Sequence, residues 1–195
     1  MSRPLRDQIR AALARRERKV VADPGFTRAA VLVPLYEDAD GLQVLFTKRS
    51  EDLPLHGGQI AFPGGGHRPD DSSLRATALR ESHEEIGLTP SDVEIVGELD
   101  ETVTLTSNFV VSPFVGVISC PYPFQLNTAE IVELIPLPLS VLSDPSRFKE
   151  EQWDRGGAKA AVCSYTIGPL VIWGLTARIL KQLLEAILLH GQATR

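Results

Sequence analysis

Short β-type apolar runs and helical stretches succeed one another in this chain in the order strands, helix, strands, helix. That order confines it to a layered α/β or α+β fold. The first strands are AAVLVPLY at 29–36 and LQVLFTK at 42–48, split by an Asp40-Gly41 turn that predicts a hairpin. A short apolar run then meets one proline and three consecutive glycines in GQIAFPGGG at 58–66, where the backbone must turn tightly. Residues 73–86 suit a helix, with Ser72 or Ser73 as cap and Gly87 as stop before Pro90. Further strands are predicted at 93–99, 109–118 and 130–135, followed by a proline-rich connector at 136–145. A second hairpin over 161–172 feeds a final helix to about Leu189.

The chain has 195 residues, 43% of them hydrophobic and 23% charged, which describes one ordinary soluble domain. A chain of this size hides roughly 70% of its unfolded surface, so a core needs neither disulfides nor structural metal. Cys120 and Cys163 are isolated and are expected to be buried and inert in a reducing compartment. The most apolar segment, 169–189, is interrupted by Arg178, Lys181, Gln182 and Glu185, which a membrane span does not tolerate cheaply. The chain is therefore read as cytoplasmic. Residues 1–19 carry seven Lys/Arg and two acids, whereas the whole chain is at −5, so the remainder is acidic. Blanket nucleic-acid binding by phosphate neutralisation is disfavoured. Residues 1–24 are expected to form a basic helical extension packing Leu5, Ile9 and Leu13 on a body that spans 25–195.

The most informative stretch is Arg80-Glu81-Ser82-His83-Glu84-Glu85-Ile86-Gly87. On a helix, Glu81, Glu84 and Glu85 share an arc of about 100° beside an apolar stripe of Leu79, Ser82 and Ile86. Glu81 meets like charge at both i+3 and i+4, which costs a few tenths of a kcal/mol per pair on an open helix. Arg80 can hold Glu84, four residues on, but two carboxylates remain close together. A divalent cation is their natural partner, and oxygen ligands without cysteine favour Mg²⁺ or Mn²⁺. Three glutamates on a helix are by default a solvated face; the glycine loop just upstream is what points to chemistry. His56 and His67 flank that loop at a spacing that fits no standard zinc site.

The loop Phe62-Pro63-Gly64-Gly65-Gly66 and the helical set Arg80, Glu81, Glu84, Glu85, Gly87 and Leu88 together resemble the Nudix hydrolase box. Ser82 fills a slot that is usually apolar, and Asp71 stands where the family's first glutamate is expected, without being assigned a catalytic role. The stretches Leu45-Phe46-Thr47-Lys48-Arg49-Ser50, Gly58 to Gly65 and Thr77 to Glu81 are similar to the coenzyme A pyrophosphatase branch of that family. So are Phe109 to Gly116 and Ile172 to Ile179. Two positions depart from the branch: Pro54, where an arginine is usual, and Arg68, where an aspartate is usual. Both are expected near the substrate entrance.

The resemblance implies an α/β/α sandwich with a mixed β-sheet between helices and a loop-helix-loop catalytic motif. It implies metal ligation by Glu81 and Glu85, with Glu84 as third ligand or water-orienting base and the Gly64 carbonyl as a backbone ligand. Arg80 would fix the glutamate rotamers, and a further carboxylate would come from Glu130 or, failing that, Glu133. Arg49, Ser50 and Gln59 are candidate substrate contacts, while Trp173 is read as core. The implied activity is Mg²⁺- or Mn²⁺-dependent cleavage of coenzyme A, or its acyl esters, into adenosine 3′,5′-bisphosphate and a phosphopantetheine. Pro54 and Arg68 keep open another nucleoside diphosphate substrate, such as ADP-ribose, a dinucleotide or a damaged nucleotide. A non-catalytic nucleotide-binding module on the same fold is the rival from another class. A small-molecule nucleotide partner is expected, with no nucleic acid and no membrane insertion, and a homodimer is left open.

Overall fold

The computed structural model describes residues 1–23, 25–104, 108–155 and 158–191. The chain opens with α1 (Arg3–Ala14), then β1 (Thr27–Asp38), β2 (Gly41–Arg49), β3 (Ile60–Ala61), β4 (Gly64–Gly66) and α2 (Leu74–Ile86). It continues with β5 (Glu94–Glu98), β6 (Thr102–Val103), β7 (Phe109–Val117), β8 (Ile131–Pro138) and α3 (Leu139–Leu142). It closes with β9 (Phe148–Arg155), β10 (Ala158–Ile167), β11 (Leu170–Trp173) and α4 (Gly174–Gly191).

Most strands build one mixed sheet around the path β3-β2-β1-β7-β5, with β4 on β1, β6 on β7 and β8 on β2. β1 and β7 run parallel and the other pairs are antiparallel. Strand side chains alternate between faces, and here the alternation sorts the core in two. Odd-numbered Ala29, Val33 and Leu35 of β1 and Val111 and Val115 of β7 pack with α1 and α4. Even-numbered Ala30 and Leu32, with Phe114, pack instead under α2 through Ala78 and Ile86. The mixed sheet thus lies between helices, as expected.

α1 joins the first of these cores through Ile9 and Leu13, both buried, with Leu5 partly covered. Basic residues of α1 and of the segment after it meet acidic residues of β5 and of the turn beyond it: Arg6 and Arg10 pair with Glu94, Arg16 with Asp100, and Arg18 with Glu98 and Glu101. Glu101 is fully enclosed. It accepts from Arg28, from the Ser112 hydroxyl at 2.7 Å and from the Val21 amide at 2.8 Å. The excess charge of the first nineteen residues is therefore spent locally on the acidic body.

Several expectations need correction. The connector at 136–145 begins as strand: β8 runs to Pro138, with Pro136 opposite Leu45 and Pro138 opposite Gln43. Proline lacks only the donor, and β8 pairs with β2 alone, so no ladder bond is required on its other side. The second hairpin is present as β10 and β11, with Tyr165 opposite Ile172, but it is part of a three-stranded sheet, because FKEEQWDR pairs along β10 despite its charge. Cys163 is buried as expected, but Cys120 is exposed at the end of β7's connection. Trp173 is also not core, being 41% exposed. Among the described residues, no helix is long and apolar enough to cross a membrane.

Candidate active site

The acidic helix is set by its ends. Ser73 caps α2 by accepting from the Ala76 amide at 3.1 Å, and Gly87 stops it at φ 70°, where a side chain would be strained. Ser82, in the slot where an apolar residue is usual, is buried and donates to the Ala78 carbonyl at 2.7 Å, which satisfies its hydroxyl inside the core. Ile86 anchors the same face. The glutamates consequently lie on the flank that meets the glycine strand β4.

Phe62 stacks on Phe46 in the core, with ring centroids 4.7 Å apart, and this fixes the start of the loop. β4 then pairs with β1 and passes directly over α2. Glycine is needed there: a Cβ on Gly65 would lie 2.6 Å from the Glu81 carboxyl carbon. The Gly64 amide donates to Glu85 at 3.1 Å. The structure thus places the amide of Gly64 against Glu85, whereas the sequence reading drew on its carbonyl.

Glu85 is 2% exposed, and Arg49 approaches it at 3.4 Å from β2. Burial pushes its carboxyl up to about 7; the Gly64 amide and the Arg49 charge oppose that, while the charges of Glu81 and Glu130 add to it. Glu81 is held at 2.7 Å by Arg80. Glu84 is more exposed and takes both nitrogens of Arg68, at 2.9 and 3.0 Å, together with Arg80 at 3.1 Å. Arg68 therefore caps a glutamate and does not line the cleft described below. Its two bonds with those from Arg80 outweigh burial, so the Glu84 carboxyl sits below its ordinary value.

Arg80 is the hub of this arrangement. Its Nε and Nη2 grip Asp71 at 2.8 and 3.0 Å, while Nη1 serves Glu81 and Glu84. Side-chain bonding from Arg80 holds the Asp71 carboxyl far below the usual carboxylate range. Asp71 thus positions the arginine that positions two glutamates, a role no sequence spacing revealed. Glu130 accepts from Asn127 at 3.1 Å and its charge reaches Glu85, whereas Glu133 is exposed on β8 opposite Lys48. Of the two candidates, Glu130 is the one whose charge acts on Glu85.

A cleft of about 440 Å³ opens on the other side of the glycine strand, its floor formed by Gly64, Gly65 and Gly66. Arg49, Gln59 and His56 line it, and His56 bonds to Gln59 at 3.2 Å. His67 is engaged apart from them with the Thr77 hydroxyl at 2.8 Å. Ser50 is not at the cleft: it is buried, with its amide on the Glu130 carbonyl at 2.8 Å and its hydroxyl accepting from Asp52. It ties the Arg49 strand to the segment bearing Glu130. The far wall carries Trp153 and Trp173, of which the sequence reading missed the first altogether.

Among the described residues, no three acidic, histidine or cysteine groups converge closely enough to hold a metal ion as they stand. Arginines hold Glu81 and Glu84. The donor chemistry nevertheless fits a hard divalent cation, since the set is all oxygen. Glu85, enclosed and repelled by Glu81 and Glu130, has less positive charge around it than a buried carboxylate requires.

The chain is similar to known proteins in sequence and in fold. The family model described as NUDIX domain matches residues 26–147. A Yersinia pestis (strain Pestoides F) protein named Uncharacterized Nudix hydrolase NudL is 37% identical over 160 residues, 82% of this chain and 79% of the relative. A Yersinia pseudotuberculosis (serotype O:1b) protein of the same name matches equally. In fold, the chain is similar to the crystal structure of a NUDIX hydrolase from Alicyclobacillus acidocaldarius. The TM-score is 0.52 at 20% identity, covering 85% of this chain and 93% of that one.

Proposed function

From a chain that belongs to the NUDIX domain family, and so to the hydrolases of phosphorus anhydrides in nucleoside diphosphate derivatives, we propose a coenzyme A or acyl-coenzyme A pyrophosphatase in the cytoplasm. The products are adenosine 3′,5′-bisphosphate and a phosphopantetheine. The observation that carries the metal-dependent part of this reading is Glu85: a carboxylate enclosed against a glycine strand, one turn from Glu81 and beside Arg49. The substrate part is supported by the resemblance of residues 45–50 and 58–65 to the coenzyme A branch.

Glu81 and Glu85 would hold Mg²⁺ or Mn²⁺, with Glu84 or Glu130 completing the set. When bound, the cation supplies neutralisation of phosphoryl charge and a more acidic water. The chain's own groups do the rest. Arg49 stands with its guanidinium on Glu85 and in the cleft wall, so it can take a phosphoryl oxygen while staying beside the carboxylate. Arg80, itself gripped by Asp71, sets the rotamers of Glu81 and Glu84 and costs no reorganisation when substrate arrives. Glu84, more exposed and kept ionised by Arg68 and Arg80, is suited to orient a water.

The test is product analysis with Mg²⁺ or Mn²⁺ on coenzyme A, acetyl-coenzyme A, ADP-ribose, NADH and a diadenosine polyphosphate, alongside Glu85→Gln. Preferential release of adenosine 3′,5′-bisphosphate, lost by orders of magnitude in the variant, is expected. Preference for another diphosphate would move the substrate and keep the chemistry; no turnover of any member would overturn both.

A further inference from the structure

Both tryptophans of this chain, Trp153 and Trp173, stand in the wall of the active-site cleft. Register explains how. Trp153 of β9 lies opposite Ala160, and Trp173 of β11 lies opposite Ser164, so both belong to the even-numbered face of β10. Val162, between those two positions, lines the same cleft. The odd-numbered Cys163 and Tyr165 point the other way, into the core. One face of the small sheet is thus spent on the core and the other on the cleft.

The indoles are 42% and 41% exposed, with ring centroids 6.4 Å apart and planes inclined by 27°. Among the described residues, seven large hydrophobic side chains are exposed, and Trp153, Trp173 and Leu55 all line this one cleft. Exposed apolar surface gathered in one cleft that also holds Arg49 and Gln59 marks recognition. The Trp153 side chain is hydrogen-bonded to Glu151. Arg178 of α4 adds a cation to the same wall and is fixed by its bond to the Ala161 carbonyl at 3.2 Å.

We propose that the Trp153–Trp173 face is the nucleobase subsite: the base of the nucleotide substrate stacks on the indole pair, with Arg178 beside it and the diphosphate directed towards Arg49 and the glycine strand. The assignment rests on the reading of this cleft as the site of a nucleotide hydrolase. A ring slid between the indoles would need two contacts of about 3.5 Å each, roughly 7 Å in all, so the base lies on the pair and not within it. A rigid planar base loses little conformational freedom on such a platform, whereas a flexible chain such as pantetheine must be ordered along its whole length. The platform and Arg178 are specificity determinants and touch no reacting atom.

Because these are the chain's only tryptophans, intrinsic fluorescence reports the subsite directly. Metal-free protein is titrated with adenosine 3′,5′-bisphosphate, pantetheine 4′-phosphate and inorganic pyrophosphate. Saturable quenching by the bisphosphate alone is expected. Trp153→Leu and Trp173→Leu, each checked for unchanged melting, are expected to raise KM for the nucleotide substrate about tenfold with kcat within about twofold, as loss of a stacked base should. Quenching by pantetheine 4′-phosphate in place of the bisphosphate overturns the assignment, as does quenching by neither. Unchanged KM in both folded variants, with full turnover by the unaltered chain, overturns the subsite and leaves the hydrolase reading standing. Quenching by the bisphosphate without turnover of any diphosphate supports the subsite and counts against the hydrolase reading.

Discussion

Replacing Glu85 by glutamine should make the metal-free protein more stable at pH 8 while abolishing its activity. The carboxyl is 2% exposed and its pKa is pushed up to about 7 from an ordinary 4.5. The folded state therefore binds this proton more tightly than the unfolded state does. The group's contribution is most favourable below pH 4.5 and is lost as pH rises towards and beyond 7. A rise from 4.5 to about 7 corresponds to about 3 kcal/mol of destabilisation on the alkaline side. Glutamine imitates the protonated acid, and its amide oxygen can still accept from the Gly64 amide. The Arg49 contact weakens, but its attraction is already counted in the net shift. A gain of about 2–3 kcal/mol at pH 8, vanishing by pH 4.5, is therefore expected, or a rise in Tm of roughly 4–12 °C for a domain of this size. Urea unfolding with chelator present, followed by far-UV circular dichroism at both pH values, measures it. Equal or lower stability of the variant at pH 8, or a difference independent of pH, would refute the argument that Glu85 is an undercompensated buried charge. Adding Mg²⁺ to a hundredfold excess over its dissociation constant should close that gap, raising the unaltered chain by about 2.7 kcal/mol and the variant little.

Two further outcomes follow from the geometry. Gly65→Ala places a methyl group 2.6 Å from the Glu81 carboxyl carbon; it should cut the rate at least a hundredfold while costing only about 1–3 kcal/mol of stability, by steady-state kinetics and urea unfolding. Glu101→Gln should weaken the docking of the first twenty-three residues and cost about 1–3 kcal/mol, because Arg28 and Arg18 lose their enclosed partner but keep some solvent access. Burial raises the Glu101 carboxyl, and the bonds from Arg28, the Val21 amide and Ser112 more than reverse that, so its folded value is lowered. Its support is present above the unfolded pKa and is lost as pH falls through the folded one. Hydrogen exchange in the N-terminal segment should accordingly quicken on acidification in the unaltered chain; unchanged protection in the variant would sink this account.

Local chemistry determined what lies within one turn or one hairpin. The α2 helix was legible from Ser73 to Gly87 because a cap, a periodic apolar face and a glycine stop all act within a few residues of one another. Its acidic flank followed from helical geometry alone, as did the hairpin at Asp40-Gly41 from turn chemistry. What joins elements distant in sequence was decided only by the tertiary structure. Arg49 reaches Glu85 across 36 residues, and Asp71 grips Arg80 only because the intervening loop folds back onto the helix. Arg68, expected at the substrate entrance, instead neutralises Glu84, and Ser50 is consumed by backbone bonding. β9 was missed because FKEEQWDR is too charged to read as strand, and pairing with β10 supplies the order its own pattern does not. The same pairing put Trp153 and Trp173 on one face. A tryptophan's composition argues for burial; which side of a sheet it occupies is set by register, and here register turned both indoles to the cleft.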